Sequence, residues 1–256
     1  MLSKQRMFSA IKASGIHLLC SLCVALLAGI LVFGVWYPYP YRELSGGREL
    51  FLLIMAVDVV CGPILTLVLF NPAKSKAELL RDLGLVVLIQ LAALIYGLYT
   101  VAMARPVYVA YEVDRLRVVS RADIPTDQLK PELGGLHQLP WYGPKLIGVR
   151  DAKDGDERLK NLELSLQGQE PSVRPDWWQN YDLNRAKVIK VAKPVSELRK
   201  KRPDAIALID LAVSQSGRPE LDLLWLPITS FKSAEWVAFI DATTADVLSY
   251  APVDGF

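Results

Sequence analysis

Asp58 is the residue whose type and setting most invite chemistry, because it stands inside the apolar run from Leu50 to Phe70. An ionisable group near the middle of a membrane span disfavours insertion by about 2.5–3.5 kcal/mol on translocon scales, so something must offset it. Two accounts stay open: a proton-linked or partner-binding site, or a carboxyl hydrogen-bonded within a helical bundle. The second is the plainer. Cys20 and Cys23 form a C-x-x-C, but redox motifs need an accessible thiolate and zinc sites need more ligands, neither of which an apolar span supplies. An intramembrane aspartyl protease would need two cooperating carboxylates, and here only Asp58 is deep, with Asp82 at the margin and no Gly-x-Gly-Asp. In the charged part His137 is the sole imidazole, set in a Pro/Gly-rich loop, with no Gly-x-Ser-x-Gly elbow and no metal-ligand cluster. No catalytic residue, metal or cofactor is expected, and an enzyme is the minority reading.

The elements that must position Asp58 are set by where the apolar residues fall. The chain of 256 residues is 52% hydrophobic yet 22% charged, and the charge is segregated: up to Ala104 there are 8 Lys+Arg and 5 Asp+Glu, beyond it 21 and 22. A net charge of +2 provides no electrostatic footprint for nucleic acid, which is excluded as a partner. Three runs, about 15–37, 50–70 and 83–104, have the roughly twenty residues that cross a hydrocarbon core of about 30 Å. The first is too long for a signal-peptide core and lacks an Ala-x-Ala site, so an uncleaved anchor is expected. The fold class is therefore a bundle of three transmembrane helices over 1–104, followed by a mixed α+β soluble domain over 105–256.

Lys4, Arg6 and Lys12 precede the first span and Lys74, Lys76 and Arg81 separate the second from the third, against only Arg42 and Arg48 in the other loop. The positive-inside rule then puts the N-terminus in the cytoplasm and everything beyond Arg105 outside it, in the periplasm of a Gram-negative cell. Trp36, Tyr37, Tyr39, Tyr41, Tyr96 and Tyr99 would favour the outer interface. Counted from the cytoplasmic ends, Asp58 lies roughly 18 Å deep, Tyr96 roughly 20 Å, Gln90 roughly 10 Å and His17 within one or two turns of its own end, which makes Tyr96 the best-matched partner. Pro63 cannot donate to the carbonyl of Val59, so a kink is expected about one turn after Asp58, at Gly62-Pro63. Gln90, Ala93, Gly97 and Thr100 on the third span, and Ser21, Ala25 and Ala28 on the first, recur at helical spacing as faces for close packing. That packing serves either the bundle itself or a partner's helix.

In the soluble part, Val107–Val113 alternates and Leu116–Val119 follows Asp114-Arg115, which predicts a hairpin or a sharply bent strand pair. A loop or short-helix region rich in proline and glycine spans Ile124–Pro144, and Lys145–Val149 reads as a short strand. Asp154–Leu166 reads as an amphipathic helix with Leu159, Leu162 and Leu166 on one side, entered through acidic residues. Trp177-Trp178 is taken as core, and Arg199-Lys-Lys-Arg202 as a solvated face. Leu223–Ile228, Trp236–Ile240 and Asp246–Tyr250 read as strands, the last two joined by the turn Asp241-Ala-Thr-Thr-Ala245. No cysteine falls in this part, which excludes a disulfide framework there.

The motifs Gly15-Ile-His-Leu-Leu19, Trp36-Tyr-Pro38, Asp58-Val-Val-Cys-Gly-Pro63, Leu65-Thr-Leu67, Phe70-Asn-Pro72, Arg81-Asp82, Gln90, Tyr96-Gly97, Arg105-Pro-Val-Tyr108 and Glu112-Val-Asp-Arg115 resemble the TfpX/TfpZ family of type IV pilin accessory proteins. The closing Ile240-Asp-Ala-Thr-Thr-Ala245-Asp-Val-Leu248 is similar in style, although Ala245 stands where glycine is more usual. The resemblance implies a non-enzymatic inner-membrane protein that assists assembly or stability of a major type IV pilin, with other pilus assembly proteins as further partners. It brings no catalytic residues with it. Asp58, Gly62, Pro63, Gln90, Tyr96 and Gly97 are then the candidate partner-binding residues, receiving pilin's hydrophobic helix within the lipid bilayer. An envelope module that binds peptidoglycan and a pilin-processing or pilin-modifying enzyme are the alternatives from other classes.

Overall fold

The computed structural model describes residues 4–256, which divide into two compact units: the N-terminal segment up to Tyr37 with Gly46–Met103, and Pro38–Ser45 with Ala104–Phe256. The loop that joins the first two spans thus belongs with the C-terminal unit.

The first unit is helical. α1 covers Lys4–Leu31 and runs on through a π-helical turn, Val32–Trp36; α3 covers Gly47–Leu69 and α4 Lys76–Ala104, while the short α2, Tyr41–Leu44, lies in the loop that belongs with the second unit. α1 with its π turn, α3 and α4 are long and apolar enough to cross a membrane. Leu26, Leu53, Leu88 and Ile95 point outward from them, the pattern of helices whose surroundings are hydrocarbon. Their shared core holds Ala28, Val32, Phe51, Met55 and Val101. Tyr37 closes it, its hydroxyl donating to the Val101 carbonyl at 3.1 Å and its ring lying where a Cβ on Gly47 would sit at 2.4 Å. Ala28 is buried and Ser21 and Ala25 half-buried, so the small-residue face of α1 packs inside the bundle. α3 continues across Pro63 to Leu69 without interruption. Among the aromatics near the outer ends of the spans, Trp36, Tyr37 and Tyr41 are buried within the protein, while Tyr39, Tyr96 and Tyr99 are exposed.

In the second unit, eight strands among the described residues form one mixed sheet in the order β4-β3-β1-β2-β6-β7-β8, with β5 against β6. β1 (Pro106–Glu112) and β2 (Arg115–Ser120) make the expected hairpin, turning at Val113 with φ +58°. β3 (Lys145–Val149) lies parallel to β1, and β4 (Trp178–Asn180) antiparallel to β3. β6 (Leu223–Thr229) runs parallel to β2 and antiparallel to β7 (Trp236–Asp241), which pairs antiparallel with β8 (Val247–Ala251). Between these strands lie α5 (Gly155–Leu166), α6 (Arg185–Val191), β5 (Lys193–Pro194), α7 (Val195–Lys201) and α8 (Ile206–Ser216). α7 and α8 cover one face through Leu198, Ile209, Trp225 and Phe239.

Another core joins Val109, Leu116, Ile228 and Ile240, and here α2 contributes Tyr41 and Leu44. The Tyr41 and Tyr250 hydroxyls meet at 2.9 Å, and burial pushes the Tyr41 phenol well above its usual range. Between β7 and β8, Asp241 accepts from the Thr243 and Thr244 amides, and Ala245 takes φ +60°. That left-handed conformation is why glycine suits the position, and buried Ala245 pins the turn by accepting from the Tyr181 hydroxyl at 2.8 Å.

α5 is the helix expected after Asp154, with its leucines on one side. Asp154 does cap it, accepting from the Glu157 amide at 2.8 Å, yet Leu159, Leu162 and Leu166 all face outward. The helix is held by its N-terminal turn: Glu157 accepts two bonds from Arg150, at 2.7 and 2.9 Å, and one from the Lys153 amide at 2.5 Å. The Arg150 guanidinium, and after it the Lys153 amide, hold the Glu157 carboxyl down to about 2. A depressed carboxyl contributes stability in full above its ordinary value of 4.5 and loses it as pH falls through about 2. Glu157→Gln is therefore expected to flatten the acid limb of unfolding between those values. The emission of Trp177, whose ring lies 4.4 Å from the Arg150 guanidinium, reports it; an unchanged slope would show that the pair adds nothing.

Candidate functional site

A polar seam crosses the apolar interior of the helical unit. Pro63 lacks an N–H and so cannot donate to the Val59 carbonyl; the oxygens of α3 that are bonded from the neighbouring helices are others, on the turns either side of it. From α1, the Ser14 hydroxyl donates to the Pro63 carbonyl at 2.8 Å, and one turn on His17 Nδ1 meets Thr66 Oγ1 at 2.6 Å. From α4, Gln90 Nε2 donates to the Asp58 carbonyl at 3.1 Å. That bond needs Gly62, because a Cβ there would fall 2.1 Å from Gln90 Nε2.

Beside the seam opens a cleft of about 450 Å³, walled by α1 and α4 and lined also from α3. Val24, Val87 and Leu91 give it an apolar wall, Ser21 lies among them, and the Asp58 side chain lines it, half-buried. Among the described residues no hydrogen bond or ion pair reaches the Asp58 carboxyl. Gln90 Oε1 is buried and likewise lacks a hydrogen-bond partner. Two acceptors thus face one largely apolar cleft with no donor bonded to either, a costly arrangement in a low-dielectric interior unless a donor reaches them.

The candidate residues separate accordingly. Asp58, Gly62, Pro63 and Gln90 gather at the seam. Gly97 is buried one helix face away, where a Cβ would meet Ile54 Cγ2 at 2.6 Å, so it serves packing between α3 and α4. Tyr96 corrects the depth-matching argument: it is 73% exposed on the outer surface of α4 and does not meet Asp58. Equal depth does not fix azimuth, and Tyr96 lies six residues beyond Gln90, about 240° around the helix. The seam residues the sequence reading missed are Ser14 and Thr66, while His17, weighed there only for its depth, meets Thr66. Their signal was present, since Ser14 and His17 are three apart on α1, just as Pro63 and Thr66 are on α3.

The sheet domain offers no comparable constellation. One hollow there, about 940 Å³, is lined by both charge signs, Lys160 and Arg174 beside Asp154 and Glu157, next to Trp177. His137 bonds locally to the Gly134 carbonyl. No group of three or more His, Cys, Asp or Glu side chains among the described residues could hold a metal ion.

Three apolar helices with a polar seam, followed by a mixed-sheet domain, define a membrane protein whose distinctive chemistry is hydrogen bonding inside its bundle. A family model described as Fimbrial assembly protein FimB matches residues 5–46. A Dichelobacter nodosus protein named Fimbrial assembly protein, serogroup I is 38% identical over 260 residues, covering 100% of this chain and 99% of that relative. The serogroup E1 protein of the same organism is 38% identical over 259 residues, 100% of this chain and 99% of its own. The protein of serogroups C1 and C2 is 49% identical over 128 residues, half of this chain and 98% of its own length. No solved structure matches the chain. The chain belongs to the fimbrial assembly protein family.

Proposed function

We propose that this protein is an inner-membrane accessory factor that assists assembly or stability of a cognate type IV pilin by non-catalytic binding. The narrower resemblance to TfpX/TfpZ accessory proteins and the names of the relatives both support that reading. The lysines and arginines between α3 and α4 support a cytoplasmic N-terminus and a periplasmic sheet domain. One observation carries the mechanism: an apolar intramembrane cleft holding two acceptors, Asp58 and Gln90 Oε1, that lack a donor. Lipid is as apolar as any partner helix, so hydrophobicity gives no selectivity, and recognition in the bilayer rests on close packing and hydrogen bonds. The occupant is accordingly pilin's apolar helix, presenting a hydrogen-bond donor toward Asp58. The outward leucines of α5 provide a further surface for a pilin head or another assembly protein.

A photo-crosslinking residue at Val87, on the cleft wall, is expected to trap pilin in native membranes, whereas one at outward-facing Leu53 is not. Equal capture from both positions, or none from Val87, rules the cleft out. An unchanged intact mass of pilin in a deletion strain is the outcome expected of a factor that does not modify it.

A further inference from the structure

The chain passes between the spans and the sheet domain at three places, and next to each the domain carries exposed aromatic side chains. The first span gives way to Pro38, on which Gly143 closes so tightly that a Cβ there would lie 3.3 Å from Pro38 Cγ. α4 ends at Ala104, and the guanidinium of the next residue, Arg105, stacks 5.0 Å from the ring centroid of Trp141. Shortly before α3 begins at Gly47, the Leu44 carbonyl accepts from the Ser230 hydroxyl at 2.6 Å. Trp141 and Tyr142 at the tip of one loop are 61% and 70% exposed, and Phe231, beside Ser230, is 75% exposed. Tyr39 is exposed next to Pro38, with the Arg42 guanidinium 5.7 Å from its ring centroid.

Chain connectivity limits how far these groups can be from lipid. Pro38, Leu44 and Arg105 lie one to three residues from a helix that spans the hydrocarbon, and a residue extends the chain by at most about 3.6 Å. They remain within about 10 Å of the hydrocarbon edge, at the depth of the headgroup layer. Tryptophan and tyrosine are enriched at that depth because an apolar ring and a polar edge are both accommodated there. We propose that Tyr39, Trp141, Tyr142 and Phe231 form an interfacial patch by which the sheet domain rests in the headgroup layer of the bilayer holding its own spans. The occupant of this surface is lipid, with Arg42 among its rings placed to meet phosphate groups. This assignment does not depend on what the cleft binds.

The test uses the full-length protein, with Cys20, Cys23 and Cys61 replaced by alanine, in phospholipid vesicles that contain no other protein. Spin labels are placed by Tyr142→Cys, Phe231→Cys and, as a reference on an exposed position not assigned to the patch, Leu221→Cys. Labels at 142 and 231 are expected to be reached by oxygen and shielded from a water-soluble nickel chelate, with the reverse at 221. Nickel access at 142 and 231 equal to that at 221 overturns the proposal, as does shielding from both reagents, which would mean burial against protein. In a second measurement, Trp141→Phe should remove a component of tryptophan emission that lipids brominated near the headgroup quench. A quenching curve identical to that of the unsubstituted protein would also overturn it.

Discussion

Gly97→Leu is expected to remove most of the folded protein from the membrane. A Cβ at position 97 would sit 2.6, 3.1 and 3.2 Å from three side-chain carbons of Ile54. Ile54 is β-branched and stiff at χ1, so it cannot swing aside as a lysine or glutamine would. The remaining relief is to push α3 and α4 apart, which also opens the contact of Tyr37 with the Val101 carbonyl further along α4. Overpacking of this kind costs about 3 kcal/mol, a large share of a marginal stability. Steady-state level in membranes and the midpoint of thermal unfolding in detergent should both fall sharply. Gly62→Ala should be milder although its nominal contact is shorter, because the obstructing atoms are the flexible end of Gln90. There the loss is chiefly the bond to the Asp58 carbonyl, about 1 kcal/mol. If Gly97→Leu accumulates and melts like the unsubstituted protein, the close approach of α3 and α4 is wrong.

Gly97 also shows where sequence reading stops. Its spacing with Gln90 and Thr100 marks a small-residue face, but the same spacing suits an intramolecular neighbour and a partner helix. Only the position of Ile54 decides for the former. The spans themselves were legible because length and apolarity are imposed by the bilayer and need no tertiary information. The hairpins of the sheet domain were legible for a related reason, since alternation and turn residues act locally, as at Val113 and at Asp241–Ala245. The segment from Pro171 to Lys193 was not. Its strands β4 and β5 have three and two residues, too short for a period, and exist because β3 and β6 offer them edges. The leucines of α5 were placed on one side of the helix but not as buried or exposed, because an apolar stripe at helical spacing states which side is apolar and not what covers it. α2 was silent for the same reason: nothing in Tyr41-Arg-Glu-Leu44 declares that its tyrosine and leucine complete the core of a sheet that begins more than sixty residues later.

Asp58→Leu is expected to separate the two accounts of that residue, because they predict opposite movements of protein level and function. If the carboxyl holds the bundle together, leucine should destabilise it. The geometry argues otherwise, since the bonds at this turn use the backbone carbonyl of Asp58, and those of Pro63 and the Thr66 hydroxyl nearby, none of which the substitution removes. Insertion should become easier, by as much as about 2.5–3.5 kcal/mol on translocon scales, so the variant should accumulate at or above the normal level. Partner recognition should fail in the same cells. A hydrogen bond to a charged acceptor contributes about 1.5–3 kcal/mol, equivalent to roughly ten- to a hundredfold in affinity. Pilin co-purification and the number of surface pili should fall accordingly, with Asp58→Asn intermediate because its amide keeps an acceptor but no charge. Normal piliation in Asp58→Leu cells would leave the cleft without a role in binding, and a lost protein would return Asp58 to the bundle. A full level of protein that no longer retains pilin is the combination that only a recognition site produces.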